Sequence, residues 1–212
     1  MLKVSQLMRV KVYRPKRGKT SDPKRMTGDE LVLVGTIHQV VFNPKGSRVV
    51  GLLVRKPDVA GMVKRDDAFV ALDSVVANDL GLVVSREDAG VDGAAIERLS
   101  LDWDACILWT GMDAKTTDGK ELGWVSDVEF SPKTGKVSAF YVGDGSVAKS
   151  LVGSVVVPGD LLVGYRDGFM LVKPEAASLS LDGGLAAKAG VGYARAKHEG
   201  RQVAAKAGKA AD

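Results

Sequence analysis

Apolar positions along this 212-residue chain fall in short runs punctuated by glycine, proline and aspartate. Residues 36–42 and 124–130 are each rich in β-branched and aromatic side chains. A turn sequence follows each, Asn43-Pro-Lys-Gly or Ser131-Pro-Lys-Thr-Gly, and the chain then returns to apolar residues over 48–54 and 136–142. Proline presets φ for the first turn position and glycine accepts positive φ, so both segments read as β-hairpins. Further short apolar runs lie at 68–72, 80–84, 154–157 and 169–172. Many short strands separated by turn signals predict an all-β sandwich or barrel. Within the first strand of each hairpin the apolar positions are Ile37, Val40 and Phe42, or Val125, Val128 and Phe130. A step of three followed by a step of two breaks the strand period, and a β-bulge near His38–Gln39 and Ser126–Asp127 restores it. Bent strands of that kind suit small closed barrels. Helix signals are few; Asp92 is placed to cap a short connector helix over 93–99.

The two hairpins are copies of one another. At an offset of 88 residues, nine positions between 35 and 63 are identical, among them Gly35/Gly123, Val40/Val128, Phe42/Phe130, Pro44/Pro132, Lys45/Lys133 and Val54/Val142. About two identities would arise by chance from ordinary residue frequencies. The chain therefore reads as two copies of a unit of roughly 80 residues, and a repeat of that kind sets the architecture.

The run Leu122-Gly-Trp-Val-Ser-Asp-Val-Glu-Phe-Ser-Pro-Lys-Thr-Gly-Lys-Val, preceded by Asp118-Gly-Lys-Glu, resembles the central motif of PRC-barrel domains. Val34-Gly-Thr-Ile-His-Gln-Val-Val-Phe-Asn-Pro-Lys-Gly-Ser-Arg-Val is similar but less complete. That family includes the cytoplasmic domain of the photosynthetic reaction-centre H subunit and the C-terminal domain of the ribosome maturation factor. The resemblance covers about residues 2–86 and 103–175 and implies small antiparallel β-barrels used for protein or ribonucleoprotein contact, without a catalytic site. The expected fold is all-β: two tandem PRC-type barrels at 1–90 and 103–175, a linker with a short helix at 91–102, and a flexible or partly helical Ala/Gly/Lys-rich tail at 176–212. The first copy departs from the pattern by an insertion between Arg14 and Asp29.

Charge sharpens this picture. Residues 1–98 carry 17 basic and 12 acidic side chains, a net +5, and residues 99–185 carry 7 and 12, a net −5. Fields of opposite sign favour docking of the two halves, or head-to-tail association between chains as a homo-oligomer. The longest uncharged stretch, 31–44, is too short to span a membrane as a helix. The N-terminus lacks the apolar core and cleavage site of a signal peptide, so a cytoplasmic location is expected. One cysteine and two histidines leave no multi-cysteine or histidine-based metal centre, and no cofactor is expected.

Candidate chemistry is confined to contact surfaces. The insertion holds six cations, Arg14, Lys16, Arg17, Lys19, Lys24 and Arg25, in an exposed loop that can meet phosphates of RNA or lipid. The tail adds Arg195, Lys197 and Arg201, which do not gather on one helical face. Trp103, Trp109 and Trp124 are interface aromatics, or else are buried between the barrels. The carboxylates at Asp66/Asp67, Asp102/Asp104 and Asp113/Asp118 stand beside turns with no histidine or framed serine nearby in sequence, and read as surface charge. His38 is expected to be a hydrogen-bonded strand residue and Cys106 an inert buried thiol. The sequence thus points to a non-catalytic interaction or scaffold module whose protein partner it does not name. An RNA-associated factor in ribosome maturation or RNA metabolism, contacting phosphates through the loop and tail, is the alternative.

Overall fold

The hairpins anticipated from the repeat form the centre of each sheet. They are β3 (Leu31–Phe42) with β4 (Val49–Arg55), and β9 (Glu121–Phe130) with β10 (Val137–Gly143). The structure, a computed structural model, describes residues 1–19, 21–58, 65–85, 89–143, 154–179 and 181–182. The bulge falls where the period broke. Ile37 pairs with Val54 and Gln39 with Leu53, so His38 is the extra residue. In the second copy Val125 pairs with Val142 and Asp127 with Tyr141, so Ser126 is the extra residue. A bulge at this point lets Ile37, Val40 and Phe42 all face the core despite their uneven spacing.

The remaining strands repeat the arrangement. In the first sheet β2 (Lys11–Pro15), β5 (Ala68–Ala71), β6 (Val75–Asn78) and β7 (Gly81–Val84) give the order β5-β4-β3-β2-β7-β6. In the second, β8 (Asp113–Thr116), β11 (Ser154–Pro158), β12 (Leu162–Arg166) and β13 (Phe169–Val172) give β11-β10-β9-β8-β13-β12, the same order. Two short strands, β1 (Leu2–Lys3) and β14 (Leu181–Asp182), add to the second sheet.

Two expectations are corrected. The sheets are not closed barrels: among the described residues no pairing joins β5 to β6 or β11 to β12. Nor are they wholly antiparallel, since β2 pairs with β7, and β8 with β13, in parallel. In each copy the last hairpin returns to the first strand from the far side of the sheet, which fixes that direction. A 3-10 turn at Pro174–Ser178 buries Ala176, and β14 pairs with β11.

The two sheets meet about an approximate twofold axis through their hairpin turns. Arg48 forms a β-bridge with Lys136, its own counterpart in the repeat. The flanking hydrogen bonds are reciprocal: Val49 N–H donates to the Gly135 carbonyl (2.8 Å) and Val137 N–H to the Ser47 carbonyl (3.0 Å). The lead-in segments cross over in the same symmetric way. Leu2 of β1 pairs with Phe130 in the second sheet, while Ile107, which precedes β8, pairs with Phe42 in the first. Residues 2–7, which include the short helix α1 (Val4–Leu7), thus pack on the opposite half from the one they precede. One apolar core results, drawing Val12, Phe42 and Val54 from one sheet and Val125, Phe130 and Val142 from the other.

The connector helix forms at α2 (Asp92–Arg98) and lays Ala95 against Phe69 and Val41 in a smaller cluster. Asp92 is not its cap. The residue sits at φ 50°, and its carboxylate accepts the Phe69 N–H at 2.8 Å, so that β5 and the helix start are tied together.

Candidate functional site

The insertion between β2 and β3 is an ordered platform. Its chain turns back where Lys16 N–H donates to the Glu30 carbonyl (2.7 Å). Met26 is buried against Leu31 and Val83, and Asn78, at the end of β6, donates to the carbonyls of Pro23, Lys24 and Met26. The Glu30 carboxylate accepts from the Thr27 N–H (3.1 Å) and the Ser21 hydroxyl (2.9 Å), and these bonds hold its pKa below the ordinary carboxylate value. Arg14, Lys16, Arg17, Lys19, Lys24 and Arg25 all lie exposed on this frame. None of the six makes an ion pair with another described residue. The sequence anticipated their exposure but not the anchor, since Met26 and Asn78 are distant in sequence from what they grip. Arg195, Lys197 and Arg201 lie outside the described residues.

The three tryptophans separate. Trp109 is completely buried and is not an exposed interface residue. Its ring meets Phe140 edge-on at 5.9 Å, and its indole N–H donates to the Gly46 carbonyl at 2.8 Å. It is therefore the joint between the halves, the second of the two readings open to it. Gly46 has φ 69°, and a Cβ there would run into the indole ring. Trp103 stays 38% exposed with its edge against Phe69 at 5.0 Å, and Trp124 is 36% exposed on β9.

His38 Nδ1 lies 3.2 Å from an Asp67 carboxylate oxygen, but the alignment is not that of a hydrogen bond, so the expected bonded strand histidine is not realised. Cys106 is half-buried rather than fully buried, and burial, with Asp102 nearby, pushes its thiol pKa up, against a reactive thiolate. Asp118 accepts a hydrogen bond from the Thr116 hydroxyl across the β8–β9 turn. Among the described residues no three His, Cys, Asp or Glu side chains gather as metal ligands. Of those residues, no helix is long and apolar enough to cross a membrane.

Reasoning from sequence missed two features. The first is the free edge of the second sheet. Among the described residues strand β12 hydrogen-bonds only to β13, and Val163 and Tyr165, at alternate positions along it, are each 53% exposed. The Val-Gly-Tyr alternation was the available signal, yet an edge strand is recognisable only once the sheet order is known. The second is an ion-paired corner where Arg98 of α2 reaches Asp73 with two hydrogen bonds (2.8 and 2.6 Å) and the Ala89 carbonyl with a third (2.7 Å).

No curated protein matches the chain. Residues 109–178 run from the buried Trp109 through β8–β13 to the 3-10 turn that buries Ala176, and they match the family model of the PRC-barrel domain. The match to the PRC-barrel domain covers one third of the chain.

Proposed function

We propose that this protein is a non-catalytic protein-interaction module in which residues 11–84 form a second, diverged PRC-like unit docked on the matched one. Strand β12, a free edge among the described residues, carries this reading. An unpaired edge offers backbone donors and acceptors to an incoming strand, and natural proteins normally blunt such edges with charge, proline or a covering element. Here Val163 and Tyr165 are more than half exposed on it. A partner adding a strand would gain main-chain hydrogen bonds from the edge and apolar anchorage from these two side chains. The identical strand order of the two sheets supports the second unit.

Substituting Val163→Lys and Tyr165→Lys tests the reading, since both side chains already face solvent and the fold should tolerate them. Affinity capture from the native organism with the wild-type chain should retain partners that the double variant loses, at an unchanged melting temperature. Equal capture by both proteins would remove the edge from consideration.

The anchored loop supports a second reading, RNA association. Six exposed cations on a fixed frame suit phosphate contact better than a mobile loop would, because less side-chain and backbone freedom is lost on binding. Under this reading capture is abolished by nuclease and weakens steeply from low to moderate salt. Edge-mediated protein contact changes little with either.

A further inference from the structure

The approximate twofold axis forces Arg48 and Lys136 into direct cross-strand opposition. Like charges placed opposite one another on paired strands are destabilising. Neither side chain is ion-paired with another described residue, and both are exposed. The backbone, through the reciprocal bonds at Val49 and Val137, holds them together against that repulsion.

The two sides of the axis are not equal. On the first, Gly46 leaves space that the Trp109 ring fills. On the second, the position equivalent to Gly46 is Thr134. The equivalent bonds of Val10 N–H to the Leu7 carbonyl and Met112 N–H to the Trp109 carbonyl place Leu7 where the first side has Trp109. Among the described residues no large ring covers this turn, and a cleft of about 720 Å³ remains, lined by Arg48, Lys136, Ser131, Thr134, Asp160 and Met1. The Ser131 and Thr134 side-chain oxygens accept hydrogen bonds from the Thr134 and Lys136 backbone N–H groups (3.4 and 3.3 Å). Their own hydroxyl protons are thereby left to donate outward. Two cations and two donor hydroxyls thus border one cleft, an arrangement suited to a group with several anionic oxygens. Asp160 is the one carboxylate in the lining. It opposes a dense polyanion and can accept a hydrogen bond from a ligand hydroxyl.

We propose that the hairpin junction binds the phosphate group of a small phosphorylated, hydroxyl-bearing molecule, with Arg48 and Lys136 as its charge partners. The bound anion would neutralise a repulsion that the fold otherwise tolerates. This site is separate from both the β12 edge and the basic loop, so the interaction reading above can fail without affecting it.

The test is calorimetric titration of the full chain with inorganic phosphate and with glycerol phosphate in the millimolar range, at ionic strength held constant with chloride. Vesicles of phosphatidic acid in phosphatidylcholine form a third arm that separates a lipid headgroup from a soluble ester. Saturable binding is expected. Arg48→Gln or Lys136→Gln should each weaken it by about tenfold, the range of one charge-assisted hydrogen bond. Ligand-free, both variants should melt no lower than wild type at low salt, since each relieves the like-charge contact. Saturable binding in any arm that these variants reduce supports the site, the arm naming the source. The proposal is overturned by the lack of a saturable signal in every arm, or by binding that both variants leave intact.

Discussion

At the scale of single residues, the joint between the halves rests on a matched pair, a glycine that makes room and a tryptophan that fills it. Truncating Trp109 to alanine should cost about 3–5 kcal/mol, the range for large aromatic side chains removed from a core. Trp109→Phe keeps most of the apolar contact but strips the Gly46 carbonyl of its buried donor, at about 1–3 kcal/mol. Gly46→Ala meets both a positive φ and the indole ring, and should destabilise by at least as much as the phenylalanine variant. Denaturant unfolding of the three proteins checks the order. Were Gly46→Ala neutral, the close approach of the ring to the turn would be wrong. By contrast, Trp103 and Trp124 stand partly in solvent, and their replacement should move stability far less. The sequence showed three similar tryptophans, and burial alone separates them.

At the scale of elements, the basic insertion shows how little of a loop's behaviour is local. Its composition, two prolines and six cations among thirteen residues from Arg14 to Met26, reads as an unstructured excursion. Its order comes from Met26 in a small apolar cluster, from Asn78 on a strand fifty residues away, and from the Glu30 carboxylate. The hydrogen bonds from Thr27 and Ser21 favour the ionised form of Glu30 and lower its pKa in the folded chain. A carboxyl group depressed in this way contributes stability that is present above its unfolded value and lost as pH falls through the native one. The loop should therefore loosen under acid, below the pH at which a free glutamate titrates, while the two sheets stay folded. Amide resonances of Thr27 and Ser21, followed by NMR through that range, check this. Glu30→Gln should bring the loosening to neutral pH, seen as faster tryptic cleavage among Lys16–Arg25. Unchanged cleavage in that variant would assign the order of the loop to Met26 and Asn78 alone.

At the scale of the molecule, the exchange of lead-in segments makes the halves interdependent. Leu2 and Lys3 extend the second sheet, Ile107 pairs with the first, and one core takes side chains from both. A unit of roughly 80 residues buries too little of its surface to be robust alone. Two units joined by a shared core and crossed strands should unfold together. Calorimetry should show one transition whose calorimetric and van't Hoff enthalpies agree, coincident by near-ultraviolet and far-ultraviolet circular dichroism. Two resolved transitions would mean that the crossed segments carry little energy. The opposite net charges of residues 1–98 and 99–185 fit docking within the chain, and raising the salt concentration should lower that contribution.

Much of this architecture was legible in one dimension. The duplication, the hairpins and both bulges follow from spacing, because the period of a strand and the φ demands of a turn are local properties of the chain. The identity of nine residues at a fixed offset then forces two like sheets, and the better-preserved copy carries the family motif. Three things were not legible, and they share a cause. The parallel β2–β7 and β8–β13 pairs and the open sheet ends depend on which strand returns beside which. The anchoring of the basic loop depends on groups fifty residues apart. The burial of Trp109 and the opposition of Arg48 and Lys136 exist only because an approximate twofold axis passes between the hairpin turns. Local sequence specifies what each segment can become, whereas long-range packing decides which edges stay free and which charges are held face to face, and the candidate binding surfaces of this protein belong to that second class.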